Sequence, residues 1–419
     1  MNPDDKLVAS RRGFLTGAVG LAGAAVAVHP AAAVANAESA SMLAFHGSHQ
    51  AGVATPQQAH VNFATFDIMA EKREDIAALM RTWTQASAAL AAGSMLVGPP
   101  DDPASPPTDT GEARDLSASR LTLTFGFGPG LFAKDGVDRF GLSARRPPAF
   151  VDLPKFVGDQ LVEARTGGDL CVQACADDPQ VAFHAVRQLA RLADGVAKLR
   201  WAQAGFLSRG ADPKATPRNL MGFKDGTINV AAADMDKFVW VGDEGGAWMR
   251  GGTYMVARPA RIALEHWDRM KLAFQEQTMG RRKADGAPIG AKGEFTPLDL
   301  DANDADGNPL IAENSHVRLA APQTNDGAQI LRRSYSYDNG LSFVAERWPP
   351  WRQGMELDAG LLFICYQRDP RTGFIKLFDR MSKFDMLNQF VTHTGGGLFA
   401  CPGGIRQGEF IGQRLFDAV

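Results

Sequence analysis

The sequence predicts an α+β fold built from two ferredoxin-like halves, each with the order β-α-β-β-α-β and an antiparallel sheet. Segments that alternate in hydrophobicity, typical of strands, and segments with apolar residues three or four positions apart, typical of helices, follow one another in that order twice. In each half an apolar strand also leads into Asp-Pro and a helix, at Asp178-Pro179 and at Asp369-Pro370. We expect two sheets, stacked or joined edge to edge, in one compact body.

The first half, which we place at residues 38–215, contains four predicted strands and two predicted helices. Alternating hydrophobicity predicts strands at residues 61–69, 121–127, 167–176 and 199–206. A single apolar face predicts helices at residues 73–91 and 179–193. The segment 98–116 is rich in Pro, Asp and Thr, which indicates a loop between the first helix and the second strand.

The second half, residues 216–419, repeats this order. The predicted elements are a strand at 253–262, a helix at 263–279, strands at 330–337 and from 360 onward, a helix at 372–383 and a strand at 398–402. A segment that contains Asp225 lies between the halves, where ligand clefts tend to form.

Composition is that of an ordinary globular protein and excludes several classes. The chain has 419 residues, of which 45% are hydrophobic and 22% charged, and its net charge is −3. No basic stripe is present, so we expect no nucleic-acid partner. Four cysteines are too few for a disulfide framework in a chain of this length, and we expect Cys171 and Cys175 to be buried strand thiols.

The N-terminal residues 1–37 read as a signal peptide of the twin-arginine type. Ser10-Arg11-Arg12-Gly13-Phe14-Leu15 supplies the arginine pair, and Ala35-Asn36-Ala37 supplies small residues for cleavage. The apolar segment between them is shorter than the roughly 20 residues that a membrane span needs. We therefore expect export to the periplasm, or another extracytoplasmic location, with no integral membrane span in the mature protein. Because this route carries folded proteins, a bound cofactor is also expected.

Three polar groups stand in unusual places. Asp225 lies between two glycines in Gly222-Phe-Lys-Asp225-Gly-Thr-Ile-Asn229, where apolar neighbours would leave the carboxylate poorly solvated. On its own this segment is more typical of a β-turn with a capping Asp. His316 is either a ligand or a structural histidine, and the structural role is the more common one for a lone histidine in such a segment. Arg332, beside Arg333 in an alternating strand, serves either chemistry or a surface ion pair.

Taken together, these segments resemble the dye-decolourising haem peroxidase family. The segment with Asp225 is similar to that family's G-x-x-D-G motif. Ser315-His316-Val-Arg-Leu-Ala-Ala-Pro322 is similar to the segment with its proximal haem ligand, and Leu331-Arg332-Arg333-Ser-Tyr-Ser-Tyr337 to the strand with its distal arginine. The resemblance covers most of the chain after residue 37, and the ordered set of motifs is specific. Ser334 departs from the family pattern, in which a glycine often follows the arginine pair.

The resemblance implies a haem b site in the second half. His316 would be the axial ligand of the iron, Asp225 would shuttle a proton between the oxygens of peroxide, and Arg332 would stabilise the developing charge. Arg281 would contact a haem propionate. The remaining haem contacts implied are Gly226, Thr227, Ile228, Ala321, Pro322 and Gln323. A carboxylate should orient His316, but no sequence feature identifies it.

The implied function is reduction of hydrogen peroxide by organic electron donors. Within the exported subgroup the resemblance also implies a second activity, deferrochelatase-like release of iron from haem with the porphyrin left intact. It further implies partners from an iron-uptake system and a homodimer or higher homo-oligomer. A non-enzymatic haem-binding protein remains an alternative, but such a carrier would need His316 and have no use for Asp225 and Arg332.

Overall fold

The first half has the strands and helices that the sequence predicts, in the same order. The computed structural model describes residues 41–98, 102–210, 212, 214–345 and 353–417, and the predicted signal peptide lies outside these residues. The elements are β1 (His60–Ile68), α1 (Arg73–Ala91), β2 (Thr122–Phe127), β3 (Leu170–Ala176), α2 (Pro179–Leu192) and β4 (Ala197–Phe206). The Asp-Pro signal is confirmed, because the Asp178 side chain accepts hydrogen bonds from the amides of Gln180 and Val181 and so caps α2.

The second half repeats the β-α-β-β-α-β order with several short additions. Its elements are α3 (Met235–Phe238), β5 (Thr253–Ile262), α4 (Leu264–Trp267), α5 (Leu272–Met279), α6 (His316–Ala320), β6 (Leu331–Arg332), β7 (Tyr335–Ala345), β8 (Gln353–Gln367), α7 (Phe374–Phe384), β9 (Val391–His393), β10 (Gly397–Cys401) and α8 (Gln413–Phe416). The predicted α+β class with antiparallel strands is confirmed.

Two predicted elements of this half are interrupted. The helix predicted at 263–279 is wrong as a single helix, because it divides into α4 and α5. The buried Gln275 amide donates to the carbonyls of Trp267 and Met270 and replaces helical hydrogen bonds at the break. The strand predicted at 330–337 divides into β6 and β7, since the Ser334 hydroxyl accepts from the Ile364 amide in place of a backbone carbonyl.

The strands of the two halves close into a ring. Strands β4, β1, β3 and β2 form one sheet, and β7, β8, β5 and β10 form the other. These sheets join at both edges, because Phe206 of β4 pairs with Ser336 of β7, and Phe127 of β2 pairs with Ala400 of β10. Of the two arrangements expected for the sheets, stacked or joined edge to edge, the structure has the second. The ring of eight strands leaves none of its members as a free edge.

The interior of the ring is filled by side chains from both sheets. Phe63 of β1 contacts Phe399 of β10, with 6.0 Å between ring centroids. The Tyr366 hydroxyl donates to Gln173 Oε1 at 2.9 Å, which links β8 to β3. Three of the four cysteines, Cys171, Cys175 and Cys401, are buried in this interior, and the fourth is buried in the outer core of the protein. The predicted burial of the strand thiols is confirmed.

Helices cover the outer faces of the two sheets. On the first half, α1 and α2 pack against the sheet through a core that includes Trp83 and Phe66, whose rings lie 5.1 Å apart. In the part of the chain that the structure describes, no helix is both long enough and apolar enough to cross a membrane. The outer face of the second sheet is covered less completely, and the main cavity lies there.

Candidate functional site

The main cavity lies between the second sheet and the segments that cover it. Leu361 and Phe363 of β8 line its floor, while Leu362 and Ile364, which alternate with them, point into the ring. The space between the walls amounts to about 1850 Å³, part of which is open to solvent. All its lining residues fall between Asn219 and His393. The second half, in which the resemblance implies a haem site, therefore builds this cavity alone.

His316 begins the short helix α6 and lines one wall of the cavity. Its Nδ1 lies 2.7 Å from Oδ2 of Asp385, whose side chain is only 3% exposed. Asp385 follows α7, and its other oxygen accepts from the Leu387 amide, which fixes the carboxylate. The Nε2 atom makes no hydrogen bond to any described residue. The pair therefore holds one tautomer, with Nδ1 protonated and the Nε2 lone pair available to a ligand.

Two opposing effects act on the pKa of His316. Burial in the cavity wall disfavours the charged imidazolium, but the charge of Asp385 and its hydrogen bond favour it, and Asp225 adds a smaller attraction. The net result is that the pKa of His316 is raised above its usual value of 6.5. A carboxylate in this position also makes the neutral imidazole a stronger electron-pair donor to a metal.

Asp225 and Arg332 form an ion pair in another part of the cavity wall. Arg332 Nη1 donates to Asp225 Oδ1 at 3.0 Å, and Arg332 Nη2 donates to the Ile228 carbonyl at 2.8 Å. The expectation that apolar neighbours leave Asp225 poorly solvated is wrong. Its side chain is 25% exposed and neutralised by a cation, and the Ile228 side chain is 46% exposed.

Asn229 holds the two segments of this ion pair together. Its side-chain amide donates to the Arg332 carbonyl at 2.8 Å, and its side-chain oxygen accepts from the Arg332 amide at 2.9 Å. This reciprocal pair fixes the backbone of the arginine against the loop that carries Asp225. Gly222 and Gly226 have φ values of +84° and +113°, a backbone conformation that disfavours any residue with a side chain at these two positions.

Glu294 braces the same loop from the other side. One of its oxygens accepts from Lys224 Nζ at 2.5 Å and the other from Thr227 Oγ1 at 3.0 Å. Burial alone would raise the pKa of Glu294, but hydrogen bonds from Lys224 and Thr227 outweigh that effect, and the pKa is lowered. The carboxylate is therefore ionised and keeps the loop tied to the segment after α5.

The remaining predicted site residues are placed as follows. Arg281 is 6% exposed, lines the cavity, and donates through Nη1 to the carbonyls of Gly286 and Glu294. Its Nε and Nη2 have no hydrogen-bond partner among the described residues and remain available to an anionic group. Gly226, Thr227, Ile228, Ala321 and Pro322 also line the cavity. Gln323 is exposed and does not belong to the lining.

Sequence reasoning missed three residues of this site. Asp385 orients His316, although 69 residues separate them in the chain. Asn229 lies inside the predicted motif without an assigned role, and His393 is a second imidazole in the cavity wall. Burial and the nearby Arg258 lower the pKa of His393 well below 6.5, so this imidazole is neutral. A signal for Asp385 was absent, because an Asp after a helix is typical of a cap for the next turn.

The donor set fits haem better than a bare metal ion. Among the residues that the structure describes, no group of three or more His, Cys, Asp or Glu is arranged to hold a metal. His316 offers a free Nε2 to a wide cavity with mostly apolar walls, and Arg281 offers free donors in the same lining. Haem needs this combination: one axial donor, apolar contact for the macrocycle and cations for its carboxylates.

Known proteins resemble the chain along nearly its whole length. Residues 50–207 match the family described as Dyp-type peroxidase, N-terminal, and residues 216–406 match Dyp-type peroxidase, C-terminal. A dye-decolorizing peroxidase from Thermobifida fusca is 37% identical, and the alignment covers 97% of each chain. A deferrochelatase from Escherichia coli K12 is 36% identical over 88% of this chain and 86% of the relative. The structure of an oxyferrous complex of DtpA from Streptomyces lividans is 40% identical, with a TM-score of 0.80 over 90% of this chain and 98% of that one.

Proposed function

The chain belongs to the Dyp-type peroxidase family and is a haem peroxidase, and from this premise we propose that His316 is the axial ligand of its haem. The observation that carries this assignment is the hydrogen bond of 2.7 Å between His316 Nδ1 and the buried Asp385. Histidines that bind metals usually donate their second ring N–H to such a partner. His393 lines the same cavity, but no described residue accepts a hydrogen bond from its ring.

We further propose that Asp225 and Arg332 act on peroxide. When bound, haem supplies the iron on which the O–O bond of peroxide is cleaved. Asp225 accepts the proton from one peroxide oxygen and returns it to the other, which then leaves as water. Arg332, a permanent cation 3.0 Å from that carboxylate, stabilises the negative charge that develops during cleavage. The organic donor replaces the electrons that peroxide removes.

The cavity wall supports haem b, which is bound without a covalent link. No cysteine belongs to the described lining, so the wall offers no thiol for a thioether bond. Gly226, Thr227, Ile228, Ala321 and Pro322 would contact the macrocycle, and the free donors of Arg281 would meet a propionate. Gln323 lies outside this lining, so any contact of its side chain with haem would come from outside the cavity wall.

The decisive test compares the two histidines of the cavity. His316→Ala should abolish stable haem binding, because it removes the only donor whose second nitrogen is held by a carboxylate among the described cavity residues. His393→Ala is the matched control and should keep its haem. Haem content and the Soret spectrum are measured on both purified variants, followed by peroxide turnover. Full haem occupancy with an unchanged spectrum in His316→Ala would contradict the assignment.

Location and biological role extend this proposal. Arg11 and Arg12 support export by the twin-arginine route to the periplasm, which cell fractionation of an Arg11→Lys, Arg12→Lys double variant would test. The similarity to a deferrochelatase supports a second activity, the release of iron from haem. Partners from an iron-uptake system and a homo-oligomeric state stay predictions of the sequence. Detection of metal-free porphyrin after incubation with haem tests that activity separately from peroxide turnover.

A further inference from the structure

Strands β7 and β8 continue beyond the ring as a separate two-stranded hairpin. β8 pairs with β5 only from Gly360 to Gln367, and β7 pairs with β4 at Ser336. Residues 341–345 and 353–357 pair with each other and with no other strand of the described chain. At about 3.4 Å per residue, each of these stretches is roughly 17 Å long. We refer to the two stretches as the projecting hairpin.

One face of the projecting hairpin is apolar and exposed. Two cross-strand pairs form it, Leu341 with Leu357 and Phe343 with Met355. Their exposed fractions are 65%, 37%, 64% and 62%, in that order. Single exposed apolar side chains are common on protein surfaces, but four neighbours on one face are not. Together they present on the order of 400 Å² of apolar surface, the size at which a patch marks a binding site. We call these four side chains the apolar face.

Polar contacts fix the direction of the apolar face. Glu356 Oε2 accepts a hydrogen bond from Arg261 Nη2 at 2.8 Å, and Glu265 Oε1 accepts one from the Leu357 amide at 2.9 Å. Because side chains alternate along a strand, Glu356 points away from the apolar face. The base of the hairpin is therefore anchored to β5 and α4, and the described chain leaves the apolar face uncovered.

The size of the apolar face does not suit a second copy of the chain. Stable protein dimers bury roughly 800 Å² on each partner, which is about twice the area of this face. A narrow hairpin with both edges free also offers little flat surface beside the patch. A lipid surface makes no such demand, because apolar side chains enter it individually and each adds its own contribution to binding.

The segment that joins the two strands favours the same choice. Residues 346–352 lie outside the described part of the chain, and their sequence is Glu-Arg-Trp-Pro-Pro-Trp-Arg. Two arginines and one glutamate give this segment a charge of +1, although the whole chain carries −3. Tryptophan is enriched where membranes meet water, and arginine binds phosphate groups. The composition therefore complements lipids that carry negative headgroups.

We propose that the projecting hairpin docks the protein on the surface of an anionic lipid membrane. The apolar face lies among the lipid headgroups and the upper acyl chains, and the positive charge of the joining segment selects anionic lipids. Such docking is peripheral, and no helix of the described chain is suited to span a membrane. The proposal concerns where the enzyme works and does not depend on its chemistry with peroxide.

Vesicle flotation tests the docking without peroxide. The holoenzyme that lacks the predicted signal peptide is mixed with vesicles of phosphatidylglycerol and phosphatidylethanolamine in equal parts, or of phosphatidylcholine alone. It should bind the anionic vesicles and bind phosphatidylcholine about fivefold more weakly. Leu341→Ser combined with Phe343→Ser should weaken binding to the anionic vesicles by about tenfold or more, because two large apolar side chains no longer enter the lipid.

The matched control for flotation changes exposed apolar side chains elsewhere. Val97→Ser combined with Phe183→Ser removes an aliphatic and an aromatic side chain of the first half, which are 93% and 50% exposed. This control should bind the anionic vesicles as tightly as the unchanged protein. Absence of binding by the unchanged protein, equal binding to both kinds of vesicle, or an equal loss in the control overturns the proposal.

A fluorescent label tests insertion directly, because all four native cysteines are buried. Phe343→Cys places a single exposed thiol on the apolar face, and Phe183→Cys places one on α2 as the control. Each thiol is labelled with nitrobenzoxadiazole, a dye that brightens in apolar surroundings. Anionic vesicles should increase the fluorescence severalfold at position 343 and leave it unchanged at position 183. No increase at position 343, or an equal increase at both positions, overturns insertion of the apolar face.

Light scattering separates a lipid surface from a second copy of the chain. Without vesicles, the unchanged protein and the Leu341→Ser, Phe343→Ser variant should have the same molar mass. A mass of the unchanged protein that falls by half in the variant would assign the apolar face to a second copy and overturn the lipid assignment. Peroxide turnover in solution should be equal in the two proteins, because neither side chain lines the main cavity.

Discussion

The main cavity differs in polarity and in the elements that build it from a second cavity, which we call the cationic chamber. The chamber is lined by residues from the segments 53–57, 207–209, 214–219 and 331–336. The two cavities share one wall. The second half of the protein alone builds the main cavity, whose floor is apolar and whose imidazole is fixed by a buried carboxylate. Both halves build the chamber, which is polar and positively charged. Asp225 and Arg332 line both. The two compartments therefore differ in polarity and in charge, although they share one wall.

This difference explains the partial exposure of the Asp225–Arg332 ion pair. A carboxylate sealed in an apolar cavity exchanges protons slowly, and one on an open surface acts in water. Asp225 and Arg332, with side chains 25% and 31% exposed, lie where an apolar compartment meets a hydrated one. Such a position combines access to solvent protons with a low local dielectric, in which the cation stabilises charge more strongly. The His316–Asp385 pair needs no such access, and its carboxylate is 3% exposed.

The largest expected effect follows from changing the shared wall. Asp225→Asn keeps the shape of the side chain and removes its titrating group, so the spectral change that peroxide causes in the holoenzyme should slow by roughly 10²–10⁴-fold. Arg332→Leu removes the cation and should slow the same change by roughly 10²–10³-fold. Rapid mixing with peroxide measures both rates, and both variants should retain full haem.

The relative rates of the two variants show which group of the wall is essential. A near-native rate for Asp225→Asn together with a collapsed rate for Arg332→Leu would reject the proton shuttle. The arginine would then be the essential group of the wall.

A smaller effect is expected from the buried carboxylate of the main cavity. Asp385→Asn should weaken haem binding by about 10–100-fold, because the imidazole loses both its orientation and part of its basicity. Transfer of haem to a scavenging protein measures the dissociation rate. Asp225→Asn serves as the control, since it alters a carboxylate of the same cavity that does not touch His316. Equal haem loss in the two variants would remove the special role of Asp385.

The raised pKa of His316 predicts a pH dependence of haem binding. Protonation of His316 stabilises the haem-free fold below pH 6.5, and this stabilisation is lost as pH rises through the raised pKa of His316. Haem needs the neutral imidazole, so its affinity should fall by about tenfold for each pH unit below that pKa. Asp385→Asn should move the fall to lower pH, and Asp225→Asn should move it less. Haem affinities of the unchanged protein and of the two variants, measured between pH 5 and 9, test this prediction. A fall in affinity at the same pH in all three proteins would contradict it.

The smallest effect is expected at Asn229, which only positions the wall. Asn229→Ala removes two hydrogen bonds to the Arg332 backbone and should lower the free energy of unfolding by about 1–2 kcal/mol. Peroxide activation should slow only severalfold, because Asp225 still holds the guanidinium. Urea unfolding and rapid mixing provide the two measurements. Asn388→Ala, which removes two hydrogen bonds to carbonyls of α7, is a control for stability without a change in peroxide activation.

The sequence predicted the local pattern well and the long-range contacts less well. The bounds of α1 and β5 agree to the residue, because each has a clear period and clear ends. The break between α4 and α5 depends on Gln275, whose side chain takes carbonyls that no periodicity reveals. His316 and Arg332 stand in recognisable segments, whereas Asp385 stands in an ordinary helix end. The cationic chamber escaped prediction because segments near residues 53, 207 and 333 meet only in the folded chain.

The buried thiols of the ring have a consequence for an enzyme that handles a strong oxidant. Peroxide attacks thiolates, and exposed cysteines of low pKa are oxidised first. Burial raises the pKa of Cys171, Cys365 and Cys401 well above the usual value, so these side chains remain protonated. All four cysteines are also buried, three of them inside a closed ring of strands. The thiols are thereby protected from oxidation, and turnover should not consume them even during long exposure to peroxide.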